Sequence, residues 1–156
     1  MKKFKKITFI IFLLAFIFYT IPFASTIKAN SSTITKEYFP DGSYLETEII
    51  QTFNTKSTIT GARKRSTYRN SSGSALWYGE VTANFYFDGS TSRCTSAAAS
   101  AGSHHSLWRI KSKNASKSGN TATASIVASS YTATGSLIGN KNLVISLSCD
   151  RNGNLY

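Results

Sequence analysis

Leu76-Trp77-Tyr78-Gly79-Glu80-Val81-Thr82-Ala83-Asn84-Phe85-Tyr86-Phe87 reads as the central strand of a β-sheet. By the two-residue period of a strand, Trp77, Val81, Ala83, Phe85 and Phe87 share one face. Leu76, Tyr78, Glu80, Thr82, Asn84 and Tyr86 take the other. No other segment beyond the N-terminal leader has so many large side chains, and aromatic rings bury the most apolar area per residue. The core is therefore expected to be built on this strand.

Working outward, Asp88-Gly89 is the strongest hairpin signal in the chain, and it predicts a partner strand over Thr91 to Ser100 that contains Cys94. Upstream, Asn70 to Ser74 reads as a turn, preceded by a β-prone basic run from Thr58 to Arg69. Asn54 to Ser57 is a further turn, and Ser43 to Phe53 alternates as a first strand behind the Pro40-Asp41-Gly42 turn signal. Downstream, Leu107 to Lys113 is a short strand with Trp108 and Ile110 on one face. Asn114 to Asn120 reads as a turn, and Thr121 to Thr132 and Leu143 to Cys149 alternate again.

Seven short strands, only two prolines and no sustained 3.6-residue period predict an all-β, Ig-like sandwich of antiparallel strands spanning residues 42–150. A flexible segment over residues 30–41 and a frayed tail over 151–156 are expected around it. The order Cys94, Trp108, Cys149 matches the immunoglobulin arrangement of a tryptophan against an inter-sheet disulfide. Leu147 stands where a tyrosine corner would place Tyr, and no closing strand fits after Cys149, so the expectation extends to the architecture and not to that topology.

The N-terminus predicts export. Lys2, Lys3, Lys5 and Lys6 precede an unbroken apolar run from Ile7 to Phe18, the pattern of a secretory signal helix over residues 1–29. Cleavage after Ala29, cleavage after Ala24, and retention as a membrane anchor are the three alternatives. The whole chain of 156 residues has a net charge of +11. Removing residues 1–29 takes five of its 18 basic residues and none of the 7 acidic ones, leaving 13 against 7, a net +6. That is moderately basic and short of a dedicated nucleic-acid binder, so no nucleic-acid partner is expected.

Two cysteines in an exported chain argue for one disulfide, Cys94 to Cys149, worth about 4 kcal/mol by loop-closure entropy. Two buried free thiols are the competing reading.

Chemistry-bearing constellations are sparse. His104-His105 point to opposite sides of an extended chain and lack further ligands nearby, so no metal site and no cofactor are expected. There is no Gly-x-Ser-x-Gly elbow and no phosphate loop, and the carboxylates Glu46, Glu48, Glu80, Asp88 and Asp150 form no evident catalytic pair; an enzyme is not expected. The sharpest charge feature is Arg63, Lys64, Arg65 and Arg69. It suggests attachment to an anionic envelope polymer or to a membrane surface, weighed against an edge strand guarded by charge. Tyr78 and Tyr86, with Thr82 and Asn84, form a candidate glycan platform, weighed against a face covered by other strands. A secreted antimicrobial or host-interacting protein is the third reading.

Leu76-Trp77, Ser92-Arg93-Cys94-Thr95-Ser96, Trp108, Ser112 to Asn120 and Leu147-Ser148-Cys149 resemble segments of a family of small, uncharacterised proteins exported by Gram-positive bacteria. The resemblance covers Thr58 to Gly153. It implies a signal peptide, a β-rich domain and a disulfide, and it brings no activity; the leader itself predicts a secreted protein, either free or wall-associated.

Overall fold

A computed structural model of the chain describes residues 33–52 and 59–156. The signal segment and its cleavage points, the start of the flexible segment and the Asn54–Ser57 turn lie outside the described residues. Eight strands follow one another: β1 (Thr33–Tyr38), β2 (Tyr44–Thr52), β3 (Ile59–Arg69), β4 (Ala75–Phe87), β5 (Ser92–Ser103), β6 (Trp108–Ser118), β7 (Thr121–Tyr131) and β8 (Leu137–Ser148). They form a five-stranded sheet in the order β1-β2-β3-β4-β5 and a three-stranded sheet in the order β6-β7-β8. Every pairing is antiparallel and joins consecutive strands. The sandwich is a meander, and the immunoglobulin crossover pattern is absent from it.

β4 is the centre of the core, as its alternation predicts. Trp77, Val81, Ala83 and Phe85 are buried against Ala122, Ala124, Ile126 and Ala128 of β7 and Ile145 and Leu147 of β8. Small residues on β7 let the sheets approach, so the large side chains of β4 fill the gap. Each such burial contributes about 1.5–3 kcal/mol for a Val-to-Phe-sized side chain. At one end Tyr68, Trp77 and Trp108 form a ring cluster with centroids 5.6 to 6.0 Å apart. Trp108 thus packs against aromatic rings and not against a disulfide.

The sheets differ in width. β6, β7 and β8 cover β3, β4 and β5, and β1 is the edge strand beside β2. Lys64 spans the layers at the open side, its Nζ donating to the Ser146 carbonyl of β8 at 2.9 Å.

Five expectations change. The segment expected to be loose contains β1, whose residues pair from Thr33 opposite Ile49 to Tyr38 opposite Tyr44. β6 runs to Ser118 through the stretch read as a turn, and β8 begins at Leu137 rather than Leu143. The tail is held: Ser148 and Tyr156 exchange two backbone hydrogen bonds, both 3.0 Å. Finally, the Cys94–Cys149 disulfide is not formed; both are free thiols, buried and apart. The β6–β7 turn accounts for this, since the Cys94 N–H donates to the Gly119 carbonyl and the Cys149 N–H to the Asn120 carbonyl, one on either side of the turn. Their thiols donate locally instead, to the carbonyls of Ser96 and Asp150. Burial pushes both thiols above their ordinary pKa.

Candidate anion-binding surface

β3 is the middle strand of its sheet, so its basic run is no edge guard, and the two-residue period divides it. Arg63 and Arg65 point outward, while Lys64 points into the sandwich, where burial lowers its pKa. Register brings carboxylates beside the arginines. Glu80 lies opposite Arg65 across the β3–β4 pair and accepts from its Nε at 2.8 Å, with Arg63 Nη1 4.0 Å away. Glu46 accepts from Arg69 Nε and Nη2 at 3.0 and 2.8 Å, and Lys36 stands 3.5 Å from its other oxygen. Burial alone pushes the Glu46 carboxyl up, but the Arg69 hydrogen bonds and the charges of Arg69 and Lys36 outweigh it and hold it below its ordinary value. The three arginines of the cluster that stood out in sequence are therefore ion-paired within their own sheet.

The outer face of β4 is open, with Thr82 and Asn84 exposed. Its two tyrosines are already engaged. The Arg65 guanidinium lies 4.4 Å from the Tyr78 ring centre and His104 5.5 Å from it. That ring also lies over Gly102, where a Cβ would come within 2.7 Å of it. Arg93 stands 5.0 Å from the Tyr86 ring. Each ring thus has a cation on it.

Charge without a close carboxylate lies elsewhere. Between Asp88 and Asp150 the chain has no Asp or Glu, yet it carries Arg93, Arg109, Lys111, Lys113, Lys117 and Lys141. Among the described residues none of the six has a carboxylate within 4.0 Å. Three rest on rings: Arg93 on Tyr86, Arg109 on Tyr131, and Lys141 between Phe39 and Tyr68. The other three, Lys111, Lys113 and Lys117, follow one another along β6.

β6 is an edge strand, and all its residues from Lys111 to Ser118 are exposed. Lys113 lies opposite Ile126 and Lys117 opposite Ala122, on the core side of the sheet, but past the cover of the neighbouring sheet. They project along the seam between β5 and β6. Lys117 Nζ donates to the Thr95 carbonyl of β5 at 2.5 Å, which anchors one end of the row. Ala101, Ile110, Lys111, Ser112 and Lys113 line an open groove at the other end. Lys111, at the bulge between Ile110 and Ser112, and Lys113 stand within the ~8 Å screening length of physiological salt, while Lys117 follows about 13 Å further along the strand, so the row spreads its charge along a linear anion. The absence of acidic residues over this span was visible in the sequence. The exposure of β6 depended on strand order.

Among the described residues no group of three or more His, Cys, Asp or Glu side chains is placed to hold a metal ion. His104 and His105 lie in the β5–β6 connection, where His105 Nδ1 accepts from the Leu107 N–H at 3.2 Å. No protein-family model, curated protein or solved structure matches the chain.

Proposed function

We propose that the protein is an exported, non-enzymatic module that holds to an anionic polymer of the cell envelope through the lysine row of β6. Export rests on the basic and apolar leader of residues 1–29. One observation carries the binding reading: the acid-free span from β5 to β8 holds six cations without an ion pair, whereas the arginines of β3 are paired with Glu46 and Glu80. Unpaired cations on one edge strand attract a linear polyanion by summed Coulomb energy, and the attraction weakens as salt screens it. No cleavage chemistry is asked of the site, whose lysines only hold charge.

Retention of the purified protein on isolated cell walls, measured from low to high salt, tests this. Retention should fall steeply with salt and be lost in Lys111→Gln/Lys113→Gln/Lys117→Gln. Salt-independent retention, or full retention by that variant, contradicts the reading.

A further inference from the structure

Resting on that reading, we infer that the polymer is a polyol phosphate, a chain in which phosphodiesters alternate with hydroxyl-bearing carbons. The two flanks of β6 differ in chemistry. Lys113 and Lys117 occupy one, while Ser112, Asn114, Ser116 and Ser118 occupy the other, opposite Val127, Ser125, Thr123 and Thr121 of β7. Beyond β7 the same outer face continues through Asn140, Asn142, Val144, Ser146 and Ser148 of β8. Apart from Arg109 at one end it carries no charge.

Part of this face is internally satisfied. Thr121 bonds Ser148 at 2.8 Å, Thr123 bonds Ser146 at 3.4 Å, and Ser129 donates to Asn140 at 2.6 Å. The β6 column of Ser112, Asn114, Ser116 and Ser118 makes no side-chain hydrogen bond among the described residues, and all four are exposed. Hydroxyls and amides both donate and accept, as alcohol groups do, whereas a bare phosphate or sulfate only accepts. The polar side chains recur at about 6.6 Å on one flank, and Lys113 and Lys117, four residues apart, at about 13 Å on the other. A polymer alternating phosphate and polyol meets both sets, while inorganic polyphosphate would leave the hydroxyl flank to water. A single-stranded nucleic acid would need a row of bare rings to stack on; on this face Tyr131 lies under Arg109 and Tyr156 stands at the far edge beside Ser148, and the β6 stretch from Lys111 to Ser118 carries none.

Binding of the purified protein to poly(glycerol phosphate) and to inorganic polyphosphate of matched charge tests the assignment. Asn114→Ala/Ser116→Ala/Ser118→Ala changes only exposed side chains, and an unchanged urea midpoint verifies its fold. This variant should bind poly(glycerol phosphate) roughly tenfold more weakly, the size of one or two net hydrogen bonds, and polyphosphate within about twofold of the parent. Equal losses on both polymers, no loss on either, or tighter binding to anionic phospholipid vesicles than to poly(glycerol phosphate) would overturn the polyol assignment. A Lys111→Gln/Lys113→Gln/Lys117→Gln variant that keeps its affinity for both polymers would instead overturn the polyanion reading beneath it.

Discussion

Arg65 and Glu80 face each other across the β3–β4 pair with Nε 2.8 Å from Oε2, and Glu80 is only 7% exposed. Arg63 approaches the same oxygen. Glu80→Gln should therefore leave two guanidiniums without their counter-charge and lower stability by about 1–3 kcal/mol. Urea unfolding measures it; an unchanged midpoint would show that the pair contributes nothing.

Gly79 of β4 lies directly under side chains of the facing sheet. A Cβ there would stand 2.7 Å from Ile126 Cδ1 and 3.1 Å from Leu143 Cδ2. Gly79→Ala should cost about 1–3 kcal/mol by overpacking, and Gly79→Val more. The companion change Ile126→Val, which removes the nearest methyl, should recover part of that loss. Additive losses would contradict the contact.

With the two thiols free, reductant should leave the thermal midpoint unchanged. A thiol reagent should titrate two groups in denaturant and react slowly in the folded protein, because Cys94 and Cys149 are buried. A mass two hydrogens below that of the dithiol form would contradict this.

Acid should loosen the turns. The Asp88 carboxyl is held below its ordinary value first by the Thr91 N–H and then by the Ser90 N–H. Asp150 is held down by the side chain and then the backbone of Asn154, with a further bond from the Asn152 N–H. A carboxylate with a lowered folded pKa stabilises the fold above its unfolded value, and this stability is lost as pH falls through the folded value. Stability should thus be level above pH 5 and decline below about 3.8, the ordinary aspartate value. Asp150→Asn should shrink that decline and free the tail from its bonds to Ser148. A pH profile identical to the parent's would contradict the role of Asp150.

Particular residues show why some of this was legible in sequence. Trp77 to Phe87 announced itself because every second large side chain is needed to fill the core, and the Asp88-Gly89 turn closes where its residue types require. β6 misled because Asn114, Ser116 and Ser118 are turn-prone residues, and that local preference yields to ladder pairing with β7. β1 is exposed throughout, Ile34 and Tyr38 included, and pairs with β2, so no buried hydrophobic face marked it. Arg63-Lys64-Arg65 drew the eye by adjacency. Neighbours on a strand face opposite ways, and the carboxylates that neutralise the arginines lie 15 and 23 residues away in the chain, where only register reveals them.

The most direct measurement sets the two basic strands against each other on purified cell walls at fixed low salt. One protein carries Lys111→Gln/Lys113→Gln/Lys117→Gln. The other carries Arg63→Gln/Arg65→Gln/Glu80→Gln, which removes the β3 arginines together with their shared carboxylate. The β6 variant should be released and the β3 variant retained like the parent. Release of the β3 variant with retention of the β6 variant would contradict the placement of the binding surface.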